Sequence, residues 1–263
     1  MRAVPGLELS GRKVDVGKQR SYLPEEGKGR WMVIRRTSGK VVEMSTVWVA
    51  ANTKPRRNRR KGATTAQKQD ENERDCVKRL ARTINCNFGH GDLWLTAKYD
   101  GAGMARLEEM ARNRIRAEHP GLLEELGGSP GENGSWPEDC EGVWADAILE
   151  AAERDAENFR RRLARMLAQQ GEEMRCIIST SDMDGETGER VRPHHHIILP
   201  RVSFEAAAQA WKGGSVEYQI LRDQDDYTPL AVYICKQVRR RPDRKKYRCS
   251  RNLLKPVVNE RWA

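Results

Sequence analysis

The chain has 263 residues, 38% of them hydrophobic and 33% charged, with a net charge of +10 and a mean hydropathy of −0.81. That length suits one ordinary domain with appendages or two small ones. No run approaches the ~18 consecutive apolar residues of a spanning helix, and Met1-Arg2-Ala3-Val4-Pro5 leads into no apolar segment of signal-peptide length. A membrane span is therefore excluded, and a cytoplasmic location without membrane partners is expected.

Charge is distributed unevenly. Residues 121–160 hold eleven acidic side chains against Arg154 and Arg160, a local net of −9 that leaves +19 on the rest of the chain. A basic excess of this kind favours a polyanionic partner, because each phosphate neutralised by Lys or Arg releases condensed counterions. Nucleic acid is the first expectation. The six cysteines, Cys76, Cys86, Cys140, Cys176, Cys235 and Cys249, form no Cys-x-x-Cys pair, so neither a zinc ribbon nor a disulfide framework is indicated and reduced thiols are expected.

In chain order, residues 1–23 mix Gly, Pro and charge without period and read as a loose arm. The β-rich runs 30–34 and 41–49, separated by a turn-like stretch with Gly39 near its end, predict a hairpin. Lys54, Arg56, Arg57, Arg59, Arg60 and Lys61 then crowd six positive charges into a short stretch that cannot build a core. It reads as a basic linker or a phosphate-contacting arm. Cys76, Val77, Leu80 and Ile84 recur at helical spacing within 66–84. Leu93-Trp94-Leu95-Thr96-Ala97-Lys98-Tyr99 predicts a buried strand, followed by a helix over 102–118. A Gly- and Pro-rich loop around 127–137 precedes a long helix over 141–170, closing near Gly171. The runs 175–180 and 194–199 predict an antiparallel strand pair joined by a polar connection containing Gly185 and Gly188. Helices over 203–211 and 229–238 and a basic tail complete the chain.

Within the second of these strands His194 and His196 project from one face and His195 from the other, because side chains alternate in a strand. Two imidazoles on one pleat make a ready pair of metal ligands, although histidines clustered for structure or on a surface give the same pattern. The partner strand runs into Asp182 and Asp184, and Asp182 is the first choice for a third ligand; turn chemistry would equally place Asp and Gly there. Tyr233 and Lys236 lie three apart in the helix that follows Pro229 and share a face. A cation beside a phenol favours the phenolate, the form able to attack phosphorus. No phosphate-binding Gly-rich loop ending in Lys-Ser or Lys-Thr occurs, so the chain carries no ATPase signature of that kind.

A Thr-containing apolar strand, a His-x-His strand preceded by Arg192-Pro193, and a helical Tyr-x-x-Lys some forty residues later come in an order that resembles the HUH endonucleases, specifically the rolling-circle replication initiators of bacterial plasmids, phages and integrative elements. The likeness covers roughly residues 65–255. It implies an α+β fold, a central antiparallel sheet flanked by helices, here with an N-terminal hairpin extension and a basic C-terminal tail. The expected organisation is 1–65 arm, hairpin and linker, 66–240 endonuclease domain and 241–263 tail. It also implies a nickase and ligase of single-stranded origin DNA presented in a hairpin. His194 and His196 would hold Mg²⁺ or Mn²⁺ with Asp182 in the acidic-ligand place, Tyr233 would attack to leave a 5′-phosphotyrosine, and Lys236 would tune the charge beside it. A host helicase and DNA polymerase would be the protein partners.

Phosphate contacts would fall to Arg56, Arg57, Arg59, Arg60 and Lys61 in the linker, to Arg192, and to Arg239, Arg240, Arg241, Lys245, Lys246 and Arg248 in the tail, where Tyr247 could stack on a base. Two departures stand out. Thr96 is followed by Ala97 and Lys98 where a second threonine is usual, and His195 fills a slot usually hydrophobic, which an outward-facing position would tolerate. Conjugative relaxases and single-strand transposases share the chemistry, but relaxases usually place the tyrosine before the histidines. A DNA-binding regulator whose nuclease site has decayed is the rival from another class.

Overall fold

The computed structural model describes residues 29–50, 66–118, 121, 138–202, 204–238 and 244–262. The linker arginines Arg56, Arg57, Arg59 and Arg60 with Lys61, and Arg239, Arg240 and Arg241 of the tail, lie outside the described residues. The chain divides into two compact units, the larger spanning residues 37–42 and 63–257. The fold is α+β, with two sheets and five helices among the described residues. None of these helices is long and apolar enough to cross a membrane.

The smaller unit is built on the predicted hairpin, β1 (Gly29–Ser38) and β2 (Val41–Ala50). Its turn includes Gly39 at φ 58°, a left-handed conformation that glycine adopts without a Cβ penalty. A third strand joins β1 from the far end of the chain. It comes from within the segment expected to be a basic tail.

The larger unit holds a five-stranded antiparallel sheet in the order β6-β3-β5-β4-β7. Its strands are β3 (Leu93–Lys98), β4 (Ile177–Met183), β5 (Arg190–Leu199), β6 (Val216–Ile220) and β7 (Arg248–Cys249). The third strand of the small sheet, β8 (Val257–Trp262), closes the numbering. The expected pairing of the two strands around the histidines holds: β4 and β5 run antiparallel with Ser179 opposite His196 and Ser181 opposite His194. β3 pairs β5 on its other side, placing Thr96 opposite His196 and Lys98 opposite His194. The histidine strand is therefore the middle strand of the sheet.

Helices cover both faces of this sheet. On one face, α2 (Gly101–Glu118), α3 (Glu138–Gln169) and α4 (Phe204–Ala210) pack against Leu95, Ala97, Ile178, Ile197 and Leu199, with Phe159 and Leu163 fully buried between them. On the other, α1 (Ala66–Asn87) and α5 (Thr228–Gln237) close over Trp94, Ile177 and Ile198 through Leu80, Ala81, Ile84, Ala231 and Ile234. At ~25 cal/mol per Å² of apolar area, these two layers dominate the stability of the unit. α2 starts where the Gly103 amide donates to the Asp100 carboxylate at 2.7 Å, a side-chain cap for an orphan N–H. α3 ends where Gly171 takes φ 77° and the Glu172 amide returns to the Leu167 carbonyl at 3.0 Å.

Among the described residues, four carboxylates of the acidic segment are paired. On α3, Glu150 pairs with Arg114 and Arg244, Glu153 with Arg248 at 2.6 Å, Asp155 with Arg106 at 2.8 Å, and Glu157 with Arg160 and Arg161. These carboxylates neutralise neighbouring cations of α2, α3 and the C-terminal segment.

Three strands escape the sequence reading. Val216-Glu217-Tyr218-Gln219-Ile220 alternates as an edge strand should, Arg248-Cys249 is too short for any period, and Val257–Trp262 is exposed along its whole length. The boundary expected at 240/241 falls ahead of two of these strands, β7 in the larger sheet and β8 in the small one. Residues beyond it are woven into both sheets, because backbone pairing with existing edges satisfies their N–H and C=O groups whatever the side-chain pattern.

Candidate active site

The alternation of β3, β4 and β5 puts Trp94, Thr96, Lys98, Ser179, Ser181, His194 and His196 on one face of the sheet. The two imidazoles meet edge to face, with ring centroids 4.9 Å apart. His194 Nδ1 donates to the Arg192 carbonyl at 3.2 Å. A carbonyl can only accept, so the proton of this bond sits on Nδ1 and Nε2 is the ring nitrogen not engaged by it.

His196 lies deeper, 5% exposed, with Trp94 stacked on it at 4.8 Å and an interplanar angle of 15°. Burial first, and then the neighbouring His194, push its pKa down to about 4. It is thus neutral near pH 7, as a metal ligand must be.

α5 brings the remaining groups to this pair. Tyr233, 47% exposed, sets its ring edge-on to His196 at 5.7 Å and to Trp94 at 6.1 Å. One turn further on, Gln237 Oε1 accepts from His196 Nε2 at 2.5 Å, and Thr96 Oγ1 lies 3.4 Å from Nδ1 of the same ring. Lys236, exposed, lies three residues after Tyr233 on the same helix.

The helix is held at both ends. At the start, Asn85 of α1 donates to the Asp226 carboxylate at 3.0 Å and accepts from the Tyr227 amide at 2.8 Å. At the end, the Ser181 hydroxyl donates to the Gln237 carbonyl. The position of Tyr233 beside the histidines therefore follows from contacts to β4 and α1 as well as from packing.

Gln237, Ser181 and Asn85 are site residues that the sequence reading misses. For Gln237 a signal exists, since it stands four residues after Tyr233 and so shares its helical face. Nothing local marks Ser181 or Asn85. Asp182, the expected third ligand, is 3% exposed and follows Ser181 at a register shift of β4. The alternation gives Ser181 to the histidine face, and the side chain that meets His196 is Gln237. Asp184 does turn chemistry, its carboxylate accepting the Glu186 and Thr187 amides at 2.8 Å each.

His195 is not outward-facing, as expected, but fully buried on the opposite face. Its Nε2 lies 2.9 Å from the Tyr99 hydroxyl and its Nδ1 3.0 Å from the Thr180 hydroxyl, with Trp211 against its ring at 5.2 Å. Both nitrogens are satisfied, so a polar residue is accommodated in a hydrophobic slot. Burial pushes its pKa down to about 3. Tyr227, the other tyrosine near the helix, is 3% exposed and donates its hydroxyl to the Arg222 carbonyl at 2.7 Å. Lys98, in place of a second threonine, is tied to Glu217 of β6 at 2.6 Å.

Of the expected phosphate-contacting residues that are described, Arg192 is exposed two residues before His194. Lys245, Lys246 and Arg248 line a cleft of about 630 Å³ with Arg160 and Arg161. Ile178 and Thr180 also line it, so this cleft is on the His195 side of the sheet. Within it, Arg248 is paired with Glu153, and Lys246 donates to the Cys235 carbonyl at 2.8 Å.

A divalent ion is the group the resemblance implies. Among the described residues no three His, Cys, Asp or Glu side chains converge. At the histidine pair the nearest further donor atom is the Gln237 amide oxygen, which accepts from His196 Nε2. Two imidazoles and an amide oxygen form a mixed nitrogen and oxygen set, which fits Mn²⁺ better than Mg²⁺ with its preference for oxygen. Comparison of the chain with family models, with curated proteins and with solved structures gives no match.

Proposed function

We propose that the protein is an HUH-type nickase and ligase of single-stranded DNA, acting as a rolling-circle replication initiator. The observation that carries this reading is the convergence on His196 of groups from three separate elements. Trp94 of β3, His194 of β5, and Tyr233 and Gln237 of α5 all contact one ring, although the tyrosine follows it by 37 residues.

His194, His196 and Gln237 would hold the divalent ion. Bound there, it would supply Lewis-acid polarisation of the scissile phosphate. Tyr233, on the exposed rim, can reach a strand laid over the site and release its phenol proton to water. Its oxygen forms a bond to phosphorus in line with the departing 3′ oxygen, and the electron pair of the broken P–O bond leaves on that oxygen, which takes up a proton. The products are a 5′-phosphotyrosine and a 3′-hydroxyl. Lys236 places its charge beside the developing phenolate. Because the ester bond energy is retained, attack by a 3′-hydroxyl reverses the step and rejoins the strand without a nucleotide cofactor. A free 3′-hydroxyl suits extension by a host polymerase, with strand separation by a host helicase.

The test is cleavage of labelled single-stranded origin DNA with Mn²⁺, with and without a chelator. The reading expects a free 3′-hydroxyl fragment and a protein-linked 5′ fragment, both lost on chelation. Tight, salt-sensitive binding without cleavage under any divalent metal would instead support the regulator.

A further inference from the structure

α1 and α5 meet over a pair of cysteines that this chemistry does not use. Cys76 Sγ and Cys235 Sγ are 4.0 Å apart. They come from facing helices, 159 residues apart in sequence, and neither belongs to a Cys-x-x-Cys motif. A disulfide bond is about 2 Å long, so closure draws the two sulfurs together by about 2 Å within one packed interface.

The two sulfurs differ in access. Cys76 is half-buried on α1, whereas Cys235 is 4% exposed. A hydrogen bond from Cys235, together with the charges of Lys246 and Arg79, holds the Cys76 thiol below the ordinary thiol range. Its thiolate, the form that attacks disulfides, is favoured accordingly. Other thiols are placed differently: burial pushes Cys176 up to about 12 and Cys249 up to about 11.

We propose that Cys76 and Cys235 form a reversible thiol–disulfide site, oxidised by low-molecular-weight disulfides of the glutathione type. Cys76 thiolate attacks one sulfur of the oxidant, forming a mixed disulfide and expelling one thiolate. Cys235 then attacks the Cys76 sulfur, its proton passing to the second departing thiolate. The two protein thiols lose two electrons, and the oxidant is reduced to two thiols. The bond ties α5 to α1 between Tyr233 and Gln237.

The full chain is incubated with oxidised glutathione, alkylated, digested and mapped by mass spectrometry. The expected product is a Cys76-peptide joined to the Cys235-peptide, lighter by two hydrogens than the separate pair and released by dithiothreitol. Cys249→Ser should still form it. Cys76→Ser, at a half-buried position, should fold with an unchanged circular dichroism spectrum and form no cross-link. Stable glutathione on Cys76 without closure, preferential cross-linking through another cysteine, or no modification at oxidant concentrations that oxidise an exposed model dithiol would each overturn the proposal.

Discussion

His195 sits between two proposed ligands yet serves the opposite core, which makes its anchoring a sharp probe of how β5 is held. Tyr99→Phe removes only the hydroxyl 2.9 Å from Nε2, leaving the ring contacts of Tyr99 with His195 and Trp211 at 5.5 and 5.1 Å. A fully buried imidazole nitrogen is then left unsatisfied, which costs about 1–3 kcal/mol. For a chain of this size that corresponds to a melting temperature lower by roughly 2–10 °C. His195→Leu should cost more, since it orphans the hydroxyls of both Tyr99 and Thr180. The double variant should cost less than the sum by about 0.5–3 kcal/mol, because the groups orphaned by each change remove one another. Denaturant unfolding of the wild type and three variants completes the cycle. A Tyr99→Phe change within ~0.5 kcal/mol of wild type, with additive costs, would refute the buried, doubly bonded histidine.

At the metal site, Gln237→Leu should weaken Mn²⁺ activation of nicking by ~10–100-fold, whereas Asp182→Asn should leave the metal titration midpoint near wild type; the opposite ranking would restore Asp182 as ligand. Acid should destabilise the fold through His195 and His196, whose pKa values are lowered to about 3 and about 4. Between these values and the unfolded ~6.5, the unfolded chain binds more protons, so stability is present above pH 6.5 and lost below it, by roughly 2 kcal/mol per histidine at pH 5. Unfolding titrations of the metal-free protein from pH 7 to 5 measure this, and a flat profile would contradict the burial. Ser181→Ala should free the end of α5 and lower nicking more than it lowers metal affinity, as a single-turnover assay across Mn²⁺ concentrations would show.

The central sheet was legible where periodicity was strong. Leu93–Lys98 and the two strands around the histidines carry β-rich apolar runs, and the helices around 66–84, 141–170 and 229–238 carry helical spacing or clear stops. Strands β7 and β8 were not, because pairing to an existing edge is a property of the partner and leaves no mark on Arg248-Cys249. At the site, the histidine face followed from alternation, and the nearness of Tyr233 required only that α5 lie over β5. That Gln237 would meet His196 could not be read off, since the contact depends on how α5 packs over β5. The environment of His195 depended on Tyr99, Thr180 and Trp211, three residues distant in sequence that only the packed sheet assembles.

The most direct test of the nickase reading is the location of the covalent bond. After reaction of the wild type with single-stranded origin DNA and Mn²⁺, the denatured protein is digested with nuclease and protease and the nucleotide-bearing peptide is sequenced by mass spectrometry. The expected result is one adduct, on Tyr233, absent from Tyr233→Phe. An adduct on another residue, or cleavage that leaves no adduct, would contradict the account.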